Sequence, residues 1–600
     1  MTKKNILKEL SVLYDTSLLV KQVAYKIIAS STFDKNLYLQ NFLKNSQVIT
    51  DIQDKLYGYE YTIEDVQNLF EQSIDKNKQK ENGVVYTPNY IVDYIIEQTI
   101  DLDDIKNKII VDPACGCGAF ITGLIKKLQF MDKTDLIKFI SNNIYGFDLN
   151  PNCKSDIELI VNIQLLTMNK SSDDLNINII CIDSLFEDWN KFLPKNPDYI
   201  IGNPPYVKVQ NLNKNYMNNL KNKFVTTKSG GFNLFYAFIE KSMSILKENG
   251  ILGFIIPNNF MKIKSGVELR KYISQNSYLK KLIDFDCNMI FAPVMTYNCI
   301  IILEKNKNNT VEYSVLEKTD DIKKELYSAK FNVINCNDLD IDGWLLLPES
   351  SKLKINKIES FQNKIGDLIK TGIATLRDKL YIIDKVQNGK YFKEFNGKLY
   401  EIESSMIRAL YKVPEISDVN DIGKNKKFII FPYDSNSDRP RPIQESILEK
   451  KYPLTYRYFI SIKSSLDERN KFKVSAFYEY GRSQGLNNKG KKLMYSQFLD
   501  SPKFIYCEDE NALICNGFAI YETEKINILC LQKILQSSVM KFYIDNISYS
   551  IDGGYKCYQK KYLKNFSYPN LEAYQIEYIL KEENEEFLNK YIEKLYGLDL

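Results

Sequence analysis

Four short apolar runs, each stopped by an Asp or Asn, constrain this chain more than any other feature. Lys108-Ile109-Ile110-Val111 runs into Asp112, Ile144-Tyr145-Gly146-Phe147 into Asp148, and Ile177 to Ile182, broken only by Asn178, into Asp183. The fourth, Tyr199-Ile200-Ile201-Gly202, runs into Asn203. Short apolar runs bounded by turn residues read as buried strands. Most of the four are separated by helical stretches, which predicts an α/β fold with a doubly wound sheet. In such sheets ligands bind in the crevice outside the carboxyl ends of the strands, where all four polar residues fall.

The turns at those ends have distinct chemistry. After the first, Asp112-Pro113-Ala114-Cys115-Gly116-Cys117-Gly118-Ala119-Phe120 is a Gly-containing turn opening a helix, which lets backbone approach a ligand at a helix N-terminus. Asp148 stands where an acid accepts both hydroxyls of a ribose, or where it caps the helix after Asn150-Pro151. The fourth turn is Asn203-Pro204-Pro205-Tyr206. Two prolines fix φ twice and supply no N–H, so this turn is stiff and its carbonyls stay available as acceptors. The Asn203 amide, the Pro204 carbonyl and the Tyr206 face suit a planar amine: two acceptors for its N–H groups and a ring to stack on.

Between Asp198 and Glu240 there is no acidic residue, while Lys208, Lys214, Lys221, Lys223 and Lys228 are present, interleaved with Tyr216 and Phe224. Such a stretch beside a ligand crevice predicts contact with a polyanion. A helix at Asn233–Glu240 and a strand at Ile251–Ile256 follow, the latter ending at Pro257-Asn258-Asn259-Phe260. Strands near 279–284 and 297–303 complete the predicted sheet. Met289-Ile290-Phe291-Ala292-Pro293 between them reads as an exposed aromatic turn. Ahead of the sheet, an amphipathic helix is predicted near 89–100, after a charged linker at Lys76 to Lys80.

Composition closes off other chemistries. The chain of 600 residues has no histidine, which removes His-dependent triads, His-metal nucleases and zinc deaminases. Its eleven cysteines are scattered without a C-x-x-C pair, as in a reduced cytoplasm, and no metal site is expected. No apolar run reaches membrane-spanning length, and Met1-Thr2-Lys3-Lys4-Asn5 lacks the apolar region of a signal peptide. Net charge is only +4, so nucleic-acid binding needs a local basic surface. Residues 1–80 read as a helical scaffold. Thr62-Ile63-Glu64-Asp65 resembles a capping box, and Ile63, Val66, Leu69, Phe70 and Ile74 share a helix face. No acid there stands two positions ahead of a lysine, so an Asp…(Asp/Glu)-x-Lys nuclease has no motif in this segment.

Taken together, Gly83-Val84-Val85-Tyr86-Thr87-Pro88, the Asp112–Phe120 turn, Tyr145-Gly146-Phe147-Asp148-Leu149-Asn150-Pro151, the Asp183 strand, the Asn203–Tyr206 turn, Asn233–Glu240 and Phe291–Leu303 resemble, in order and spacing, the TaqI-type (gamma-class) DNA adenine-N6 methyltransferases. The resemblance covers about residues 80–305, with Cys117 where that family usually has Ser. It implies a Rossmann-like S-adenosylmethionine-dependent methyltransferase core at 81–310, after an N-terminal helical segment at 1–80. A C-terminal mixed α+β target-recognition domain at 320–600 follows. By motif position, Thr87 and the loop with Asp112, Ala114, Gly116 and Gly118 would hold the methionine end of S-adenosylmethionine, and Asp148 its ribose. Asp183 would meet the cofactor adenine's amino group and Phe238 its ring. Asn203, Pro204 and Tyr206 would hold a flipped target adenine, with Phe291 on its other face. Thr371–Lys379, Phe477–Gln484 and Ser550–Lys564 are similar to elements of the family's recognition domain, where Arg377, Arg482 and Gln484 suit base edges.

The resemblance further implies a bacterial cytoplasmic enzyme, nucleoid-associated when bound, acting as a monomer on double-stranded DNA beside a separate cognate restriction endonuclease. Methylation of RNA adenine or of a protein glutamine fits the same turn, and a bifunctional restriction–modification enzyme is a further alternative. A specificity subunit with a decayed core is disfavoured by the intact Asp148, Asp183 and Asn203–Tyr206.

Overall fold

The computed structural model describes residues 3–72, 87–291, 296–434, 440–467, 475–551 and 554–600. The charged linker, Ile74, Gly83–Tyr86, Ala292-Pro293 and Gly553 lie outside the described residues. The chain divides into two compact units, Met1–Pro348 and Glu349–Leu600.

The first unit is built on a nine-stranded sheet: β1 (Ile110–Asp112), β2 (Ile144–Asp148), β3 (Asn178–Cys181), β4 (Tyr199–Gly202), β5 (Ile251–Pro257), β6 (Leu279–Asp284), β7 (Asn298–Glu304), β8 (Thr310–Val315) and β9 (Asn332–Asn335). Their order is β3-β2-β1-β4-β5-β7-β6-β8-β9. The first five are mutually parallel, and β7 inserts antiparallel between β5 and β6. The strand order therefore reverses at β1, flanked by β2 and β4, which is the switch point where doubly wound sheets open a crevice. The sheet does not end at β7 as expected from sequence. β8 pairs parallel with β6, and β9 antiparallel with β8. β8 alternates polar and apolar residues and β9 carries only Val333 and Ile334 between two Asn, a weaker signal than the continuous apolar runs of the centre.

Side-chain alternation along the strands divides two cores. Tyr199, Ile201, Ile255, Ile300 and Ile302 point to a layer built from α6 (Asn89–Thr99), α7 (Ala119–Lys127), α8 (Lys133–Asn143) and α9 (Cys153–Thr167). Ile200, Leu252, Phe254, Ile301 and Leu303 point to the other face, covered by α11 (Phe235–Ile245) and α12 (Val267–Gln275); α10 (Lys214–Lys223) lies ahead of them in the chain.

Among the described residues, five helices precede α6: α1 (Lys3–Leu13), α2 (Thr16–Ser30), α3 (Leu37–Asn45), α4 (Thr50–Leu56) and α5 (Ile63–Gln72). The Asp65 carboxylate accepts from Thr62 N at 2.7 Å, the reaching-back half of a capping box. These helices share a core with Leu159, Ile160, Ile163 and Leu166 of α9. The opposite face of α9, with Ile157, Val161 and Leu165, packs toward the sheet. A helix apolar on both faces is one that is buried between layers.

The second unit mixes small sheets with helices, including Pro453–Ser461, Ile528–Leu535, Ser538–Ile547, Ala573–Lys581 and Glu585–Tyr596. Its largest sheet joins Ile369–Thr371, Phe518–Tyr521, Lys492–Tyr495 and Ile505–Cys507. Among the described residues, no helix of either unit is long and apolar enough to cross a membrane.

Candidate active site

The carboxyl ends of β1 to β4 open into a cleft of about 1550 Å³. That exceeds the volume a single drug-sized ligand fills, roughly 300–1,000 Å³, so there is space for a nucleoside-sized molecule and a second group beside it. Thr87, Asp112, Ala114, Gly116, Asp148, Asp183, Asn203 and Phe238 all line it. Gly118 does not; at φ 78° it stands at the N-terminus of α7, a left-handed conformation suited to Gly.

Asp112 is almost fully buried, and its carboxylate accepts from Ala114 N at 3.1 Å. Burial pushes its carboxyl up to about 8; the Ala114 bond opposes the shift and the charge of Asp148 adds to it. β4 passes directly over this group. A Cβ on Gly202 would stand 2.8 Å from Asp112 Oδ1, so a larger residue there would have to displace the carboxylate. Asp148 accepts from Gly116 N at 3.0 Å and Asn150 N at 2.8 Å, and burial raises its carboxyl too. Of its two expected roles, the helix cap falls to another residue: Asn152 stands at the cap of α9. Asp183 accepts from Leu185 N at 3.0 Å and faces the Tyr216 hydroxyl. Among the described residues, Asp112, Asp148, Asp156 and Asp183 line the cleft, with Lys21 the one lining lysine. That donor set suits a cation bearing hydroxyl and amino groups.

The Asn203 side chain donates through Nδ2 to Thr87 Oγ1 at 3.0 Å, which makes its oxygen the acceptor end of the amide. Thr87, expected near a methionine tail, thus also holds the orientation of Asn203. Tyr206 is anchored by its hydroxyl, which donates to Ile255 O on β5 at 3.0 Å. Its ring centroid lies 6.3 Å from that of Phe291, tilted by 59°, and 6.3 Å from that of Phe235. Phe291 is buried, not exposed as its sequence suggests, because it packs onto Tyr206 and the sheet core. The two rings are in contact, so a planar base between them requires them to part.

The basic stretch divides in two. Lys208 and Lys214 are exposed, and Lys221 is half-buried. Lys223 is committed within the fold: its ammonium donates to Phe186 O at 3.0 Å and lies over the Phe186 ring. In the second unit, residues 371–378 and 480–485 run side by side. Arg482 N donates to Ala374 O at 3.1 Å and Gly481 N to Thr375 O at 3.0 Å. This pairing brings exposed Arg377 and Arg482 onto adjoining loops. Gln484 is tied down, its Nε2 donating to Gly372 O at 2.8 Å.

Some residues at the cleft were not singled out from sequence. Ser17, Lys21, Tyr38, Phe42 and Phe70 of the N-terminal helices form part of its wall; apolar spacing marks the three aromatic residues as core, and the polar Ser17 and Lys21 read as ordinary surface. Asp284, ending β6, accepts from Asn258 Nδ2 at 2.7 Å. Its signal, an acid closing a strand, is the one that marked Asp112, Asp148 and Asp183.

The chain matches the family described as Eco57I restriction-modification methylase over residues 142–291. It is 27% identical over 604 residues to the Type II restriction enzyme and methyltransferase RM.Eco57I of Escherichia coli, a match covering 86% of this chain and 60% of that protein. The chain thus spans less than two thirds of that relative's length. It is 24% identical over 581 residues to the Type II methyltransferase M.BstVI of Geobacillus stearothermophilus, covering 88% of this chain and 98% of the relative. The solved structure of the Type IIL restriction-modification enzyme MmeI in complex with DNA shares the fold, with a TM-score of 0.62 at 12% identity over 96% of this chain and 87% of that one.

Proposed function

We propose that this chain, which matches the Eco57I restriction-modification methylase family over residues 142–291 and is similar to Type II methyltransferases along most of its length, methylates N6 of an adenine swung out of duplex DNA. S-Adenosylmethionine is the donor, and the enzyme serves as the modification activity of a restriction–modification system. The observation that carries this reading is the acid-lined cleft with the Asn203 amide, oriented by Thr87, in its wall. The bound donor supplies a methyl group on a sulfonium. Asp148 would accept from its ribose, Asp183 from its adenine amino group, and Asp112 would face the cationic end.

An exocyclic adenine nitrogen is a poor nucleophile because its lone pair is conjugated with the ring. Asn203 Oδ1 and the Pro204 carbonyl accept from its two N–H groups and localise that lone pair out of the ring plane. Positioning and preorganised dipoles do this without a strong base, as a chain without histidine requires. A base inside a duplex cannot reach the turn and must leave the stack, and Tyr206 and Phe291 then offset the unstacking cost. Transfer of label from the methyl group of S-adenosylmethionine to duplex DNA, followed by sequencing of modified bases, tests the reading. Label on RNA or protein alone, or on cytosine, would overturn it.

Cofactor affinity should follow pH through Asp112. Its carboxyl is raised above its unfolded value, so the stability it contributes is complete at low pH and is lost as pH rises through about 8. A cation bound beside it favours the ionised form, and binding releases a proton. Affinity is expected to climb toward pH 8 and then level off. Calorimetry across pH on wild type and Asp112→Asn checks this: the two affinities should converge at low pH, where Asp112 is neutral, and differ most above about pH 8, and profiles that stay parallel throughout would remove Asp112 from the site.

The exposed guanidinium groups on the 371–378 and 480–485 loops suit bidentate contacts with guanine. Arg377→Ala and Arg482→Ala should each cost ~1–3 kcal/mol of discrimination at a single base position. Gln484→Ala acts differently, loosening the loop pair and weakening binding across many sequences. Binding to a library of single-base variants of the methylated site separates the two patterns.

A further inference from the structure

Cys115 and Cys153 stand apart from the chemistry above. Their sulfurs lie 3.6 Å apart although 38 residues separate them in the chain. Cys115 lines the cleft within the Asp112–Phe120 turn, and Cys153 opens α9. Gly146 makes room for the pair, since a Cβ there would stand 2.8 Å from Cys115 Sγ. Cys153 Sγ donates to Gly116 O at 3.0 Å, while Gly116 N donates to Asp148 at 3.0 Å. The two thiols and the Asp148 carboxylate thus form one cluster, every donor atom within 4.8 Å of the others.

We propose that Cys115 and Cys153 form a reversible oxidation site, linked as a disulfide by a peroxide-class oxidant, and that the link disables the cofactor cleft. The thiolate of Cys115, the sulfur reached through the cleft, attacks one peroxide oxygen. The O–O bond breaks, Cys115 becomes a sulfenic acid and one water leaves. Cys153 then attacks the sulfenic sulfur; the S–S bond forms and the second water departs with the remaining thiol proton. In sum, two thiols are oxidised by two electrons and hydrogen peroxide is reduced to two waters. Burial and the contact with Cys153 push the Cys115 thiol well up, so little thiolate is present, the first attack is slow, and linkage needs peroxide in excess.

The consequence follows from distance. An S–S bond is about 2.05 Å long, so the sulfurs must close by roughly 1.5 Å. Cys153 then leaves Gly116 O, and the turn shifts against β2. The Gly116 N–H that holds Asp148 shifts with it. This second half of the proposal rests on the cofactor reading given above; the thiol pairing does not.

The test treats the full-length protein with hydrogen peroxide in the presence of a chelator, then maps peptides by mass without reduction. The expected result is a linked peptide pair containing Cys115 and Cys153, lighter by two hydrogens. It should be absent from Cys153→Ser and Cys153→Ala and reversed by dithiothreitol. Oxidised wild type should bind S-adenosylmethionine at least ~10-fold more weakly, the scale of losing one hydrogen bond to a charged group, and dithiothreitol should restore its affinity. Sulfinic or sulfonic products on separate peptides would overturn the pairing. A linked peptide with unchanged affinity would overturn the switch. Failure of the reduced wild type to bind S-adenosylmethionine would overturn the cofactor reading instead, and the peptide map would still decide the pairing.

Discussion

Asn203→Ala is expected to lower kcat by ~10²–10³-fold, the scale of losing one preorganised hydrogen-bonding group at a reacting centre, while cofactor and DNA affinities hold. The amide oxygen matters most as positive charge grows on the attacking nitrogen, so its loss falls on the chemical step. Thr87→Val should show a smaller version of the same defect, because it frees the amide that Thr87 holds at 3.0 Å. Tyr206→Ala separates from both. It removes a stacking face worth ~1–3 kcal/mol per base, so capture of the flipped base should fail first. That failure is read as weaker fluorescence enhancement of 2-aminopurine at the target position. Single-turnover kinetics decide the matter: an Asn203→Ala enzyme methylating at the wild-type rate would make the turn a mere end to β4.

Asp148→Ala should abolish most cofactor affinity. Each hydrogen bond to a charged group is worth ~1.5–3 kcal/mol, and a ribose diol makes two with one carboxylate. The same carboxylate holds Gly116 N and Asn150 N, so the substitution also releases the turn that lines the cleft. Asp148→Asn keeps an acceptor for those N–H groups and should fall between wild type and Ala. Calorimetry on the folded variants measures both, and equal affinities across the three proteins would remove Asp148 from the cofactor site.

The four strands ending at Asp112, Asp148, Asp183 and Asn203 were legible because each reads as a nearly continuous apolar run; β1, β2 and β4 are buried on both faces, while the edge strand β3 is apolar though partly exposed. The turns were legible because Gly, Pro and Asp have few other reasons to cluster. The insertion of β7 between β5 and β6 was not, since strand order depends on how loops cross the sheet and leaves no local pattern. β8 and β9 were missed for a related reason: Thr310–Val315 alternates exposed and buried residues and resembles an ordinary surface segment. Side-chain commitments also escaped. Lys223 and Lys208 look alike in the sequence, yet only the former donates to Phe186 O. Likewise Gln484, a plausible base reader by type, is held by Gly372 O. Phe291 read as exposed because its neighbours are turn formers, whereas ring packing against Tyr206 decides its burial.

α9 begins beside Asp148 and turns one face to the sheet and the other to the five N-terminal helices. Those helices are therefore not a detachable cassette. A protein lacking them would present Leu159, Ile160, Ile163 and Leu166 to water, each side chain giving up ~1.5–3 kcal/mol of burial, on the helix that carries Cys153 and follows the ribose-binding acid. Recombination that exchanges pieces of such proteins finds no permissible seam between Gln72 and Thr87, because the halves on either side of that junction own a wall in common.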